Sequence, residues 1–348
     1  MRDRLAPLAV LLLLVTGCSD LESGGCGADA SPASPAEPEA EQGQAGLDPP
    51  DAHEAASRDD DSPAPLTVAV IGDVPYGVEQ EESVGLLVDA INDDPSVRLA
   101  IHLGDVKSGT TACTDERLVA ALATFDSFED PVVYTPGDNE WTDCHRADAG
   151  GYDPLERLAA VRATFFAEPG SLLGGPRTSV EYQAELVENV RWIQSRVAFA
   201  TLHVVGSDNG LSAWTGDGHI VPTKEQTQEV DARIAAVLAW IDETFAAAEH
   251  RNLRGVVLAM QADTWDPLPS SGQRAVVDRI AACTAAFDGE VLVLQGDSHT
   301  YVVDNPLALA NFTRIVVHGE TLPFEYLRLT INPGRGELFA WERVPVAS

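Results

Sequence analysis

Basic residues are scarce in this 348-residue chain, which has 22 Lys and Arg against 55 Asp and Glu and a formal net charge of -33. A surface with this excess of negative charge repels nucleic-acid backbones and anionic membranes at long range, so we expect neither to bind through charge. A phosphorylated substrate would therefore need positive charge placed locally. A bound cation is the simplest source of that charge.

A hydrophobic run of membrane-spanning length is also missing near the start of the chain. Residues 5–15 form an apolar run of 11 residues after a charged start, which is too short to cross a bilayer comfortably and typical of an export signal. The next residues, Val15-Thr16-Gly17-Cys18, resemble the lipobox of bacterial lipoproteins. The resemblance implies a signal peptide at residues 1–17 and lipidation of Cys18. The alternatives are an ordinary cleaved signal and an uncleaved anchor.

Residues 18–65 lack the apolar pattern of a core and are rich in Ala, Pro and acidic side chains. Such a segment does not bury enough apolar surface to offset the entropy lost on ordering. We therefore predict a disordered acidic tether, with a reach of at least about 35–40 Å on the scaling for flexible linkers. Residues 66–348 remain for one folded domain, and a hydrophobic content of 45% is enough for a sizeable core.

Four apolar runs in this domain each end in Gly-Asp. The aspartates are Asp73, Asp105, Asp138 and Asp297. Taken alone, any one of them is commonly a helix cap or a turn residue. Together, runs rich in Leu and β-branched residues predict parallel or mixed strands buried on both faces, with the carboxylates gathered at the carboxyl ends. This arrangement builds a metal site.

Helical and strand patterns alternate along the domain. Helices are predicted over 84–91, 115–128, from Asp153-Pro154 to 166, 223–248 and 273–287. Strands are predicted at 67–71, 97–103, 131–135, 180–185, 190–193, 197–205, 254–260 and 291–297. The tail, 313–317, 325–331 and 337–341, has the pattern of antiparallel strands separated by turns. The domain is therefore predicted to be α/β with an antiparallel end.

The order and spacing of the Gly-Asp motifs resemble those of the calcineurin-like metallophosphoesterase superfamily, over essentially all of residues 66–341. The resemblance implies an α/β fold, a four-layer α/β/β/α sandwich of two mixed sheets flanked by helices. It also implies hydrolysis of phosphate esters at a pair of metal ions. The matching residues are Asp73 as first ligand, Asp105 as bridging carboxylate, Asp138 in place of the usual Asn, and His299 as last ligand.

Three histidine ligands of the superfamily pattern are replaced in this chain. Pro75 stands at the place of one, Asp297 replaces the first His of the last pair, and residues 259–263 contain no His. Oxygen ligands therefore predominate. Such ligands favour Mn²⁺, Mg²⁺ or Ca²⁺ over Zn²⁺.

One or two divalent ions are expected. The resemblance places one ion at Asp73, Asp105 and His299, and a second at Asp105, Asp138 and Asp297 with help from Gln261. Ions held there would polarise phosphoryl oxygens and activate water for in-line attack. Asp105 and His299 are therefore expected to be catalytic as well as metal ligands.

Asn139 replaces the His that usually acts as general acid in the superfamily. Its amide is suited to hydrogen-bond a phosphoryl oxygen, so we expect a catalytic and substrate-binding role, but it cannot supply a proton near neutral pH. Lys107, His145 and Arg146 lie near the motifs and are the candidates to bind substrate and to compensate this loss.

Other polar residues favour structural roles. His102, His203 and His318 lie inside apolar runs and are expected to be hydrogen-bonded core or edge residues. The loop at residues 206–210 has the composition of a plain strand-to-loop turn, although a place in the site cleft explains it equally well.

Our leading hypothesis is an exported metallophosphoesterase that acts as a monomer on a small phosphomonoester or phosphodiester. It would be lipid-anchored to the cell envelope, at the outer membrane or the outer face of the plasma membrane, and would contact the membrane only through the N-terminal lipid. A degenerate relative that binds a metal or ligand without catalysis is the alternative. A third hypothesis is a surface-anchored interaction protein whose acidic face recruits cations or a basic partner.

The five cysteines have different surroundings in the sequence. Cys18 belongs to the predicted lipobox, Cys26 to the tether and Cys283 to the apolar face of a predicted helix. Cys113 and Cys144 remain, each in a loop a few residues beyond a site motif. In an exported protein they are a natural disulfide pair, with two free thiols as the alternative.

We expect the peptides that contain Cys113 and Cys144 to gain about two hydrogens in mass on reduction, because a disulfide carries two fewer hydrogens than two thiols. A disulfide that closes the loop between Cys113 and Cys144 should stabilise the fold by about 3–4 kcal/mol in the entropy model. Mass spectrometry of proteolytic fragments with and without reductant measures the shift. Alkylation of both thiols without reductant would contradict the pairing.

Overall fold

The computed structural model describes residues 64–334 and 336–347, together with the backbone of residues 56–57. The predicted signal peptide, the predicted lipidation site at Cys18 and most of the predicted tether lie outside the described residues. The predicted folded domain lies almost entirely within them.

The strands within these ranges are β1 (Ala56–Ser57), β2 (Leu66–Ile71), β3 (Val97–His102), β4 (Pro131–Tyr134), β5 (Leu173–Gly174), β6 (Thr178–Ser179), β7 (Glu181–Tyr182), β8 (Val190–Gln194), β9 (Val197–Thr201), β10 (Gly255–Ala259), β11 (Glu290–Gln295), β12 (Val302–Asp304), β13 (Phe312–Val316), β14 (Glu325–Ile331) and β15 (Phe339–Pro345). The helices are α1 (Gly77–Asn92), α2 (Asp115–Phe125), α3 (Pro154–Phe165), the single turn α4 (Gly206–Asn209), α5 (Lys224–His250) and α6 (Arg274–Ala286). Short 3₁₀ turns cover Thr142–His145 and Thr215–Asp217.

Two large mixed sheets organise the domain. The six-stranded sheet has the order β15-β14-β2-β3-β4-β5, in which β2, β3 and β4 are parallel. The seven-stranded sheet has the order β12-β13-β11-β10-β9-β8-β7, in which β9, β10, β11 and β13 are parallel. A separate parallel pair joins β1 to β6. The loops that follow the parallel strands therefore leave each sheet at one edge.

The central strands are apolar on both faces because both faces are covered. In β2, Val68 and Val70 pack into the core between the two sheets, whereas Ala69 and Ile71 pack against the outer helices. This alternation follows from the two-residue period of a strand. Continuous runs of Val, Ile and Leu are the sequence signature of strands buried in this way.

Helices cover the outer face of each sheet. Apolar residues of α1, α2 and α3 pack on the six-stranded sheet, and those of α5 and α6 pack on the seven-stranded sheet. The result is four layers in the order helix, sheet, sheet, helix, which confirms the predicted fold class. Within the described ranges, no helix combines the length and the apolar character needed to cross a bilayer.

The start of α1 was predicted wrongly. The helix begins at Gly77 rather than at residue 84, and its first turns carry no buried apolar stripe, since Val78 is 66% exposed. The N-cap is Tyr76, which makes no side-chain capping hydrogen bond. The first two turns of α1 therefore have neither the apolar period nor the capping residue from which a helix start is predicted. The tail strand predicted at 337–341 is likewise displaced, to Phe339–Pro345.

Replacing Leu294 by alanine should destabilise the domain by about 2–5 kcal/mol, because a buried leucine loses apolar contacts and leaves a cavity. Leu294 is 0% exposed in the core between the sheets. Urea unfolding followed by circular dichroism measures the change.

The matched control is Leu268→Ala, at a side chain that is 71% exposed, where we expect a change within about 0.5 kcal/mol. Equal losses of stability in the two variants would contradict the assignment of this core.

Candidate metal centre

Carboxylates follow the central strands of both sheets. Asp73, Asp105 and Asp138 follow β2, β3 and β4 of the six-stranded sheet, and Asp297 follows β11 of the seven-stranded sheet. One carboxylate oxygen each of Asp105, Asp138 and Asp297 lies within 4.8 Å of the others. These are the three residues expected to hold the second ion, and both sheets contribute to the group.

Asp73 and His299 lie beside this group. The backbone N–H of Asp297 donates to both carboxylate oxygens of Asp73, at 3.0 and 3.1 Å. The Nε2 atom of His299 is 3.7 Å from Asp73 Oδ1, while its Nδ1 is 2.8 Å from Glu320 Oε2. The structure therefore brings Asp73, which was expected to hold the first ion, against Asp297 and His299.

Four residues of the site have a left-handed backbone conformation, which residues other than glycine rarely adopt. Asp73, Asp105, Asp297 and His299 have φ values of 53°, 59°, 71° and 58°. Such values are uncommon outside glycine, and they concentrate at functional sites where the surrounding structure enforces them.

Two glycines leave the space that the carboxylates occupy. A Cβ at Gly137 would lie 2.0 Å from Asp105 Oδ1. A Cβ at Gly206 would lie 2.6 Å from Asp138 Oδ2 and 2.8 Å from Asp297 Oδ1. The loop at residues 206–210 therefore lines the cleft, as one of the two interpretations of its sequence predicted.

The cluster crowds carboxyl groups together in a buried place. Burial, followed by repulsion from neighbouring carboxylates, raises the pKa of Asp73 and of Asp105 well above the usual range, and the same causes raise the pKa of Asp297 to about 8. Among the described residues, no Lys or Arg forms an ion pair with these carboxylates or with Asp138. A divalent cation fits this set, because it would neutralise oxygen ligands that otherwise repel one another.

Asp105 is held by hydrogen bonds from three side chains. The Tyr76 hydroxyl donates to Asp105 Oδ2 at 2.8 Å, Asn139 Nδ2 donates to the same atom at 2.8 Å, and Gln261 Nε2 donates to it at 3.2 Å. Gln261 Nε2 also reaches Asp138 Oδ1 at 3.1 Å, and its Oε1 accepts from the Gly206 N–H at 2.7 Å. Gln261 therefore connects the carboxylates of the cluster.

The amide of Asn139 is engaged within the cluster. Its Nδ2 donates to the Tyr76 hydroxyl as well as to Asp105, both at 2.8 Å, and its backbone N–H donates to Asp105 Oδ1 at 3.1 Å. These contacts orient Asp105. Contact of Asn139 with a phosphoryl oxygen stays a prediction.

The three predicted substrate-binding cations have different settings. Lys107 is buried, its Nζ donates to the Ser108 carbonyl at 3.1 Å, and burial lowers its pKa. His145 is also buried, and its Nδ1 accepts from the Gly216 N–H at 3.1 Å. Arg146 has a side chain 44% exposed and lies 2.7 Å from Asp143. Of the three, Arg146 has the most accessible charge.

Sequence reasoning missed Tyr76 and Asp263. Tyr76 lies three residues after Asp73, and its aromatic ring gave no pattern signal. Asp263 lies in the segment that lacks the superfamily's lone His. Its Oδ2 accepts from the Ser298 hydroxyl at 2.8 Å, and its Oδ1 pairs with Arg314. A carboxylate at the place of a missing ligand was the signal that could have identified it.

The predicted structural histidines are hydrogen-bonded away from the cluster. His102 Nε2 is 2.9 Å from the Val74 carbonyl oxygen, and His203 Nδ1 is 2.7 Å from Glu188 Oε1. His318 Nδ1 is 3.2 Å from Thr321 Oγ1. Such contacts are the ones expected of hydrogen-bonded core or edge residues, so a structural role for the three side chains stays the prediction.

A disulfide joins Cys113 to Cys144, with an S–S distance of 1.99 Å, which confirms the predicted pairing. Both cysteines are fully buried. The bond ties the loop after β3, which carries Asp105, to the loop after β4, which carries Asp138. It therefore braces two of the clustered carboxylates relative to each other.

Comparisons with known proteins give similarities to solved structures. No protein-family model matches the chain, and no curated protein matches it. A dimetal phosphatase from Danio rerio is similar at 14% identity over 81% of this chain and 99% of its own, with a TM-score of 0.44. GAP50, the anchor in the inner membrane complex of Plasmodium, is similar at 10% identity over 82% of this chain and 90% of its own, with a TM-score of 0.44.

A purple acid phosphatase from seeds of yellow lupin, Lupinus luteus, is similar at 10% identity over 82% of this chain and 54% of its own, with a TM-score of 0.45. Likenesses at this level leave the activity of the chain to be judged from its own residues.

Replacing Gly206 by alanine should weaken Mn²⁺ binding by at least about tenfold, because the new Cβ would displace the carboxylates of Asp138 and Asp297. Isothermal titration calorimetry of chelator-treated protein measures the affinity. The matched control is Gly85→Ala in α1, where a Cβ meets nothing within 4 Å. Equal Mn²⁺ affinities in the two variants would contradict the assignment of the cluster as a metal site.

Proposed function

We propose that this chain is a metal-dependent phosphoesterase that hydrolyses a phosphomonoester or a phosphodiester. The observation that carries the proposal is the buried group of Asp105, Asp138 and Asp297, with Asp73 and His299 beside it. Within the described part of the chain no Lys or Arg forms an ion pair with these carboxylates, so they are suited to hold divalent ions. Ions of this kind supply the positive charge that a phosphate substrate needs on a strongly acidic protein.

The proposed ligands are Asp105, Asp138 and Asp297 for one ion, and Asp73, Asp105 and His299 for another. The oxygen-rich set favours Mn²⁺, Mg²⁺ or Ca²⁺. When bound, such ions polarise phosphoryl oxygens and lower the pKa of water at the site.

The chain's own residues position this chemistry. Burial and the neighbouring Asp105 raise the pKa of Tyr76 well above its usual range, so its hydroxyl stays protonated and donates to Asp105. Asn139 Nδ2 donates to the same oxygen, Asp105 Oδ2, and the Asn139 backbone N–H donates to Oδ1. Both side chains therefore act as positioning residues for Asp105.

Arg146 is the proposed contact for the substrate's negative charge. Its guanidinium is partly exposed and is placed near the cleft by Asp143 and by Ser207, whose hydroxyl oxygen lies 3.4 Å from Arg146 Nη2. A guanidinium binds phosphate well but does not release a proton near neutral pH. Lys107 and His145 form hydrogen bonds with backbone groups instead. We therefore expect a preference for esters whose leaving group departs without protonation, such as aryl phosphates.

The proposed setting follows from the N-terminal sequence. The apolar run and the lipobox-like Val15-Thr16-Gly17-Cys18 support export and lipid anchoring to the cell envelope. We propose a monomer that meets the membrane only through this lipid and takes a small phosphorylated molecule as substrate.

A second candidate function is metal or ligand binding without catalysis in the same fold. The observation that favours it is the amide of Asn139, which stands where a general acid is expected and is committed to Tyr76 and Asp105.

Hydrolysis of 4-nitrophenyl phosphate and bis(4-nitrophenyl) phosphate by metal-stripped protein should return when Mn²⁺, Mg²⁺ or Ca²⁺ is added. Asp105→Asn should lower kcat/KM by about 100-fold or more, because it removes the carboxylate shared by both proposed ions. Release of 4-nitrophenol measures the rate.

The matched control for this substitution is Asp148→Asn, at an exposed carboxylate outside the cluster, which should keep full activity. Turnover that survives in Asp105→Asn would contradict the proposal. Absence of turnover with every metal, in protein that still binds Mn²⁺, would favour the non-catalytic function.

A further inference from the structure

A chain of polar contacts runs from strand β13 to the turn that follows β11. Arg314 of β13 forms an ion pair with Asp263 Oδ1, and Asp263 Oδ2 accepts a hydrogen bond from the Ser298 hydroxyl at 2.8 Å. Ser298 lies between Asp297 and His299, two of the proposed metal ligands. The chain of contacts therefore ends at the turn that carries both ligands.

The first contact of this chain is a buried ion pair. The side chains of Arg314 and Asp263 are 6% and 5% exposed. Arg314 also makes two contacts of 2.8 Å with the carboxylate of Asp304 in β12, and its guanidinium lies 5.5 Å from the centre of the Trp265 ring. A guanidinium is planar and presents its N–H groups in a fixed geometry. Asp263 is therefore held in place by groups that lie outside the metal centre.

The backbone of Asp263 also contacts the turn. The Asp297 carboxylate accepts hydrogen bonds from the Asp263 N–H and from the Gln261 side chain. Asp263 thus reaches Asp297 through its N–H and Ser298 through its carboxylate. Two contacts with consecutive residues fix both the position and the rotation of the turn.

The turn needs such contacts because its backbone conformation is unfavourable. Asp297 and His299, on the two sides of Ser298, have φ values of 71° and 58°. Residues other than glycine keep this conformation only where the surrounding structure enforces it. The hydrogen bond from Ser298 to the buried carboxylate of Asp263 is a constraint of this kind.

Asp263 stands in the segment where the superfamily pattern has a lone His ligand, but its own contacts are not those of a ligand. Among the described residues, the carboxylates whose oxygens meet within 4.8 Å do not include Asp263. Both of its carboxylate oxygens have partners, Arg314 on Oδ1 and Ser298 on Oδ2. Arg314 also balances its charge, so Asp263 does not need a cation.

We propose that Asp263 and Ser298 are positioning residues for the metal ligands Asp297 and His299, and that Arg314 holds Asp263 in place. The inference rests on the proposed metal centre and adds to it a support that binds no metal itself. Without the hydrogen bond between Ser298 and Asp263, the turn would be free to move its two ligands. Loss of a contact that orients a ligand typically weakens metal binding by about 10- to 100-fold.

Isothermal titration calorimetry of the chelator-treated full chain with Mn²⁺ tests this role. Ser298→Ala removes only the hydroxyl and should weaken Mn²⁺ binding by about tenfold. Ser298→Thr retains a hydroxyl and should restore the native affinity. Thermal unfolding of each metal-free protein identifies any variant that has lost its fold.

A second set of variants tests whether Ser298 acts through Asp263. Asp263→Ala removes the acceptor of the same hydrogen bond. The double variant, Asp263→Ala with Ser298→Ala, should bind Mn²⁺ as weakly as Asp263→Ala alone, because no hydrogen bond remains to be lost. The matched control is Asp304→Asn, which changes the other carboxylate on Arg314, leaves the contact between Ser298 and Asp263, and should keep the native affinity.

Three results would overturn the positioning role while leaving the metal centre intact. These are native Mn²⁺ affinity in Ser298→Ala, an equal loss of affinity in Ser298→Thr, and losses in the two single variants that multiply in the double variant. Absence of Mn²⁺ binding by the native chain is a different result, because it would overturn the metal centre and this inference together.

Discussion

The repulsion among buried carboxylates is the constraint on which the rest of the site depends. Asp73 and Asp105 are essentially removed from water and lie close to Asp138 and Asp297. A charge without a partner in such a place is costly. The left-handed backbone at the strand ends and the donors from Tyr76, Asn139 and Gln261 hold this unfavourable arrangement in one geometry. A fold that keeps it is organised to receive a cation.

The parts of the fold that the sequence predicted are those in which one local pattern decides the outcome. The strand predicted at residues 325–331 is β14, Glu325–Ile331, because its alternation follows directly from one buried and one partly covered face. Helix α5 starts after Thr223, whose side chain forms the capping box with Gln226. The four Gly-Asp strand ends converged because parallel strands of each sheet share their carboxyl edge.

The remaining parts depend on contacts between distant segments. Tyr76 joins the site through Asn139, 63 residues away, and no local pattern records such a contact. The two-residue strands β5 and β7 are defined by their pairing with β4 and β8 rather than by their own propensity. The exposed first turns of α1 have no apolar period to reveal them. The sequence therefore pointed to the carboxylates and to Asn139 and Gln261, but not to Tyr76 or to the hydrogen bonds by which these side chains hold Asp105.

Both sheets contribute residues to the candidate metal centre. Asp105 and Asp138 follow strands of one sheet, and Asp297 follows a strand of the other. An ion held by all three would act as a cross-link between the two sheets, in addition to the apolar core and to hydrogen bonds such as that from the Asp297 N–H to Asp73. Because an ion that binds the folded chain and not the unfolded one adds its binding free energy to folding, the free-ion concentration around the protein would set part of the cohesion of the sandwich.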